Sequence, residues 1–221
     1  MLFRSDEDDR KDAEDMLALL TPIIKAFITD AGYECTNLGM QVFGGHGYLS
    51  EWGLEQVVRD ARINQIYEGT NTIQSLDFLG RKVLGDGGAK MKKFGAMVEA
   101  FGAEASATPG MKEFLEPLEE IGGQVTDISM WVGMQGFKNP DEVGAAAVDY
   151  LRLAGHFVYA WFWARMAEVA LKKKDSGDKF YESKLATARF YYQRLLPETE
   201  MLVKRIKSGS KVLLALEAES F

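Results

Sequence analysis

A lone carboxylate, Glu68, stands in a short polar break, Tyr67-Glu68-Gly69-Thr70, between two apolar stretches of the chain. A carboxylate walled by apolar groups has a raised pKa and can take a weakly acidic proton. That chemistry requires a dry pocket and an electron acceptor, and nothing else in the chain supplies them. On spacing alone, Glu68 is a solvated turn residue. The second candidate is the glycine-rich run Gln41-Val42-Phe43-Gly44-Gly45-His46-Gly47-Tyr48. It lacks the Gly-Lys-Ser/Thr end of a phosphate-binding P-loop, and it follows no strand, so it is no dinucleotide fingerprint. Two readings stay open: a helix–helix corner, or a bare backbone that lets a large flat or phosphorylated ligand approach closely.

Metal and nucleophile chemistry find little support. The only histidines are His46 and His156, and the residues three before them are Phe43 and Leu153, so the Glu-x-x-His pairs of a helical di-metal site are missing. No Cys–Cys or His–His spacing suits zinc, and no metal site is expected. His156, among Leu153, Phe157 and Trp161, reads as a satisfied core or surface histidine. No local pattern supports Ser–His catalysis. The single cysteine, Cys35, lies in an apolar helical stripe with no His or Arg nearby in sequence. It reads as a buried small hydrophobe rather than a reactive thiol.

The elements that must position these groups read as helices throughout. Leu17, Leu20, Ile24, Phe27, Ala31, Cys35 and Leu38 recur at spacings of three and four, one apolar stripe that ends near Phe43. Pro22 would kink this helix or mark its first turn, and the charged residues 6–15 before it are expected to be frayed or solvated. Residues 54–66 form a second helix with Leu54, Val57, Val58, Ala61 and Ile66 inward. Thr70 or Asn71 caps a third, residues 72–84. Gly85-Asp86-Gly87-Gly88 is the strongest internal boundary. Beyond it, helices fit residues 90–105, 111–136, 142–173 and 179–207, with Pro117 as a candidate start and Pro197 as a kink. Alternating strand patterns are absent. The expectation is an all-α protein: one helical bundle in residues 1–85 (its helices from residue 12) and a second in residues 90–221.

Composition narrows the partners. A net charge of −7 argues against a phosphate-backbone binder, so no nucleic-acid partner is expected. One cysteine excludes an internal disulfide and fits a reducing cytoplasm. The first residues show no apolar signal core. The run Phe157-Val158-Tyr159-Ala160-Trp161-Phe162-Trp163-Ala164 is too short for a membrane span and reads as a buried core helix. No membrane association is expected.

Read together, several ordered pieces of residues 41–84 closely resemble the acyl-CoA dehydrogenase family. They are Gln-Val-Phe-Gly-Gly-His-Gly-Tyr (41–48), Glu55-Gln56, Arg59-Asp60-Ala61-Arg62-Ile63, Ile66-Tyr67-Glu68-Gly69-Thr70-Asn71, Ile73-Gln74 and Gly80-Arg81-Lys82. Residues 17–40 resemble the preceding family helix. The tail, including Phe180-Tyr181-Glu182-Ser183-Lys184-Leu185-Ala186-Thr187-Ala188-Arg189-Phe190, resembles the extra C-terminal helical domain of the branch that includes the 3-methylmercaptopropionyl-CoA dehydrogenases.

The resemblance implies an FAD enzyme that converts an acyl-CoA to a trans-2-enoyl-CoA and passes electrons to an electron-transferring flavoprotein. It implies that Glu68 is the catalytic base, taking the α-proton while flavin N5 takes a hydride from the β-carbon. Hydrogen bonds to the thioester carbonyl, from a flavin ribityl hydroxyl and the base's own backbone N–H, stabilise the developing enolate, and exclusion of water strengthens them. Thr70 and Thr72 match positions beside the flavin and its phosphates. Gln41 and Gly45 match positions that touch the FAD of a neighbouring subunit, with Gly44 serving the same close approach, which implies a homodimer. Arg59 and Asp60 are expected to hold the helix pair together. The family's N-terminal helical domain, its middle β-domain and the first part of its C-terminal four-helix domain have no counterpart in this sequence. The chain alone is therefore expected to lack most of the FAD grip and to be inactive. The alternative is a non-catalytic helical scaffold or complementing subunit.

Overall fold

The structure is a computed structural model that describes residues 7–220; residues 1–6, where the absence of a signal core was read, and residue 221 lie outside the described residues. The described residues form eight α-helices joined by short 3₁₀ and π turns, with no strand among them. The all-α expectation holds.

Helix α1 (Glu7–Val42) is one continuous rod, with Pro22 buried inside it rather than at its start. It begins ten residues before the apolar periodicity does. Of the two expectations for its charged first turns, solvated holds and frayed does not, residue 6 lying outside the described residues: residues 7–14 are helical and exposed, Glu7, Asp8 and Asp9 lie at the positive end of the helix dipole, and Lys93 pairs with Asp12 and, at 3.1 Å, with Asp15. The buried face is Leu19, Pro22, Ile23, Ala26 and Phe27: Phe27 is shared with the expected stripe and Leu20 is partly buried against the core, but the rest of the face is rotated from it. Leu17 and Leu38 are 62% and 59% exposed. Cys35 is exposed too, contrary to the buried role expected of it. Beyond Phe27 the rod leaves the core, and no residue from 28 to 42 is buried.

Helix α2 (Leu54–Ile63) stops three residues short of the expected end and buries none of its residues. Helix α3 (Asn71–Leu76) widens into a π-helical stretch, Asp77–Leu84, whose Phe78, Leu79 and Val83 enter the core. At the expected boundary Asp86 accepts from the backbone N–H groups of Gly88, Ala89 and Lys90 at 3.0, 3.2 and 3.3 Å. This opens α4 (Ala89–Ala105). Helix α5 (Lys112–Lys138) runs through both Pro117 and Gly122-Gly123. The last expected helix is broken at Pro197 into α7 (Lys179–Phe190), a π turn and α8 (Glu198–Lys207).

Helix α6 (Asp141–Lys172) is the centre, with fifteen buried residues; a helix apolar on all sides must be surrounded. It packs against α1, α3, α5, α7 and α8, so one buried cluster crosses the Gly85–Gly88 turn. Small residues let the neighbours close in. A Cβ on Gly155 would lie 2.5 Å from the Phe27 ring, and Phe27 meets His156 and Tyr159 edge-on at 5.1 and 4.8 Å. On the other side α6 is tied to α8. Arg152 grips both oxygens of Glu198, and His156 Nε2 faces Glu198 Oε2 at 3.3 Å while Nδ1 faces the Tyr191 hydroxyl at 3.1 Å. His156 is thus the satisfied core histidine.

Two predictions follow from the centre of the fold. Gly155→Ala forces the Phe27 ring aside and should lower stability by about 1–3 kcal/mol, read from urea unfolding. The bonds from His156 and Arg152, against the opposing cost of burial, hold the Glu198 carboxyl down at about 2, below its ordinary 4.5. Its contribution to stability is therefore complete above pH 4.5 and lost as pH falls toward 2. Glu198→Gln should flatten the acid limb of a stability-versus-pH curve in that window.

Candidate functional site

The chain between α2 and α3 bends sharply. Glu68 has φ of 53° and Gly69 of 83°, and Glu68 is the one non-glycine residue with positive φ among the described residues. A side chain in the left-handed region costs about 1–2 kcal/mol, so such a residue persists where its surroundings over-determine it. The surroundings are hydrogen bonds to α1. The amide nitrogen of Asn71 donates to Asp30 Oδ1 at 2.6 Å and to Thr29 Oγ1 at 2.9 Å, and its oxygen accepts from Lys25 Nζ at 2.7 Å. Gln65 Nε2 donates to the same Asp30 oxygen at 2.6 Å. Within the bend the Asn71 N–H donates to the Gln65 carbonyl at 3.1 Å, and Gln74 Nε2 to the Glu68 carbonyl at 3.3 Å. The N-cap of α3 is Thr70, whose hydroxyl accepts from Ile73 N–H. These ties fix the backbone that carries Glu68, whose carboxylate is left exposed beside the exposed Thr70 and Thr72.

The structure therefore brings Glu68, Thr70 and Thr72 onto one bend. Gln41, Gly44 and Gly45 lie apart from it, at the far end of α1. From Asp30, where the bend is clamped, to Gln41 is eleven residues, about 16 Å of helix. The glycines there divide between the two readings left open by sequence. Gly44 has φ of 59°, and a Cβ on Gly47 would lie 2.4 Å from the Met40 carbonyl oxygen, so these two make the corner. At Gly45 φ is ordinary and a Cβ would meet nothing within 4 Å; its backbone faces open space, and no neighbour in this chain requires glycine there.

Arg59 and Asp60, expected to join the helix pair, are both exposed. Gln65, Asn71, Asp30 and Lys25 do that work, and sequence reasoning missed it because the partners are thirty-five or more residues apart and on the polar side of α1. The expected inner face of α2 is only partly covered: Leu54, Val58 and Ala61 are half-buried, while Val57 and Ile66, with the neighbouring Ile63, are exposed. Val57, Ile63 and Ile66 are 50%, 50% and 47% exposed, as are Val42, Tyr48 and Trp52 to 84%, 75% and 51% at the end of α1. Exposed apolar residues this dense mark a surface made to be covered.

The sequence matches two family descriptions in tandem: "Acyl-CoA dehydrogenase, C-terminal domain" over residues 7–84, and "Acetyl-CoA dehydrogenase C-terminal like" over residues 90–217. The chain belongs to the acyl-CoA dehydrogenase family. Among its relatives, the 3-methylmercaptopropionyl-CoA dehydrogenase of Ruegeria pomeroyi is 35% identical over 217 residues, a match spanning 94% of this chain and 36% of that protein. The broad-specificity linear acyl-CoA dehydrogenase FadE5 of Mycobacterium tuberculosis is 26% identical, across 96% of this chain and 37% of its own length. The crystal structure of Caenorhabditis elegans ACDH-11 in complex with C11-CoA has the same fold, with a TM-score of 0.72 at 20% identity, over 98% of this chain and 35% of that one. The chain thus spans about a third of the length of these acyl-CoA dehydrogenases, and matches their C-terminal part.

The left-handed Glu68 separates stability from function. Glu68→Gly relieves the strained φ and should raise the unfolding free energy by about 1 kcal/mol, less what the freer unfolded chain takes back. Chemical denaturation of the purified chain checks this; a clear loss of stability would show that the Glu68 side chain is held for structural reasons.

Proposed function

We propose that this chain is the base-bearing C-terminal part of an FAD-dependent acyl-CoA dehydrogenase, with Glu68 as the base. The observation that carries the proposal is the strained bend: a carboxylate is presented in a costly backbone conformation, pinned to α1 by Asn71 and Gln65, with no structural partner of its own that repays the strain. In the reaction Glu68 takes the α-proton of the acyl thioester, and its own backbone N–H donates to the thioester carbonyl as negative charge develops there. FAD, when bound, supplies the acceptor for the β-hydride.

The donors present suit one side of such a cofactor. Thr70 and Thr72 offer exposed hydroxyls next to Glu68, and Gly45 offers bare backbone with room before it. The separation of Gln41, Gly44 and Gly45 from the Glu68 bend agrees with their serving the flavin of a second subunit in a homodimer. The substrate is an acyl-CoA, the electron partner an electron-transferring flavoprotein and the compartment the cytoplasm. All these groups are exposed, with exposed apolar residues near each, and water reaches Glu68 freely. The isolated chain therefore supplies one wall of a site and should be inactive.

The same face supports a second reading, a subunit that completes its site with another polypeptide; co-expression with a chain bearing the missing domains would then recover a flavin-loaded complex. For the first reading, the purified chain should lack the flavin absorption bands. Glu68→Gln introduced into the complete enzyme should cut turnover by roughly 10³-fold or more while acyl-CoA still binds. Full turnover in that variant overturns the assignment of the base.

A further inference from the structure

Helices α4 and α5 follow one another in a hairpin whose arms stand apart, leaving a groove of about 1450 Å³, space for roughly three turns of helix. Val98, Leu118, Val125 and Phe157 give it an apolar floor. Gly95 and Gly102 of α4 and Gly122, Gly123 and Gly133 of α5 line it. Glycine inside a helix is unfavourable, yet at Gly95, Gly102 and Gly123 a Cβ would meet nothing within 4 Å, so no neighbour in the chain calls for glycine at these three positions. The rim is mainly acidic: Glu99, Glu116, Glu119 and Asp127 stand against Lys92 and Lys112.

The chain also exposes a segment of matching character. After α8, Val212, Leu213, Leu214 and Leu216 are 74%, 69%, 61% and 63% exposed. They are led by the exposed Lys204, Lys207 and Lys211. The apolar floor of the chain's own groove is out of reach, although the groove's near end, at Gly133, is only six residues along α5 from Asn139. Ser210 is fixed at the start of α6, its N–H 3.2 Å and its hydroxyl 2.7 Å from the Glu142 carboxylate, with Asn139 Nδ2 at 3.3 Å. Residues 211–216 extend at most about 20 Å. Gly123 lies sixteen residues along α5 from Asn139, about 24 Å.

We propose that the α4–α5 groove receives residues 211–216 of a second copy of this chain, and that the exchange is reciprocal. The aliphatic side chains meet the apolar floor, and Lys211 and its neighbours meet the acidic rim. A two-fold pair buries both grooves and both segments at once. This contact is separate from the α1 corner, so it stands or falls independently of the enzymatic reading.

The test uses the 221-residue chain with Cys35→Ser as background. Copies bearing Gly123→Cys are mixed with copies bearing Leu214→Cys and treated with diamide. A disulfide-linked heterodimer is expected, with a yield that falls as salt is raised. Gly102→Leu fills the groove without crowding the fold, and Leu214→Asp charges the segment. Each should cut the yield roughly tenfold or more while the thermal melting of the chain is kept. No cross-link between mixed copies overturns the proposal. So does a yield indifferent to Gly102→Leu, or an intramolecular disulfide in a chain carrying both cysteines.

Discussion

Phe27 resting on the bare backbone of Gly155 sets the distance at which α1 crosses α6, and the candidate site is built on α1. Close approach comes from the small residues that fill α6. It lets aromatic rings from neighbouring helices meet edge-on around one axis. The polar side of the same crossing then becomes useful. Lys25, Thr29 and Asp30 alternate with the apolar residues of α1 and hold the bend that carries Glu68. Core packing and site geometry are thus two faces of one helix segment, residues 19–30.

The molecule is lopsided as a result. Around α6 most large side chains are buried, and most buried polar groups pair, the Trp161 indole N–H being an exception: Arg152 with Glu198, Ser129 with the Tyr150 hydroxyl, Tyr192 with the Ala160 carbonyl. Burial holds the Tyr150 hydroxyl up at about 12, so it stays neutral in that network. Around the far half of α1 and α2 the reverse holds, and apolar groups face water. A chain that spans about a third of its relatives' length leaves an open apolar face on the side that bears Glu68.

Much of this was legible in the sequence because helical periodicity is a local property. The helices beyond residue 89 were placed to within a few residues, and the Gly85–Gly88 turn was read from its glycines. Periodicity alone could not say which face of α1 is inward. Leu17, Ile24 and Leu38 are as apolar as Leu19 and Ile23, and the choice is made by α6, more than a hundred residues away. Cys35 was misread for the same reason: an apolar stripe implies a cover, and no described residue covers it here. Glu68 could be singled out only through family resemblance, since the feature that marks it physically, a positive φ outside glycine, leaves no trace in composition. The Asn71 clamp was hidden by sequence distance, though Asn71 itself stood in the resembling motif.

The length of α1 has a mechanical consequence. Held near Phe27 and free of the core beyond it, the rod is a lever whose long arm ends at the glycine corner. A tilt of about 5° at the crossing carries Gln41, some 21 Å out, through about 2 Å, but moves Asp30, only about 4.5 Å out, by less than about 0.5 Å. Glu68 thus sits on the short side of the rod, close to where it is held. A contact made at the glycine corner would therefore move the end of the rod several times as far as the bend that carries Glu68.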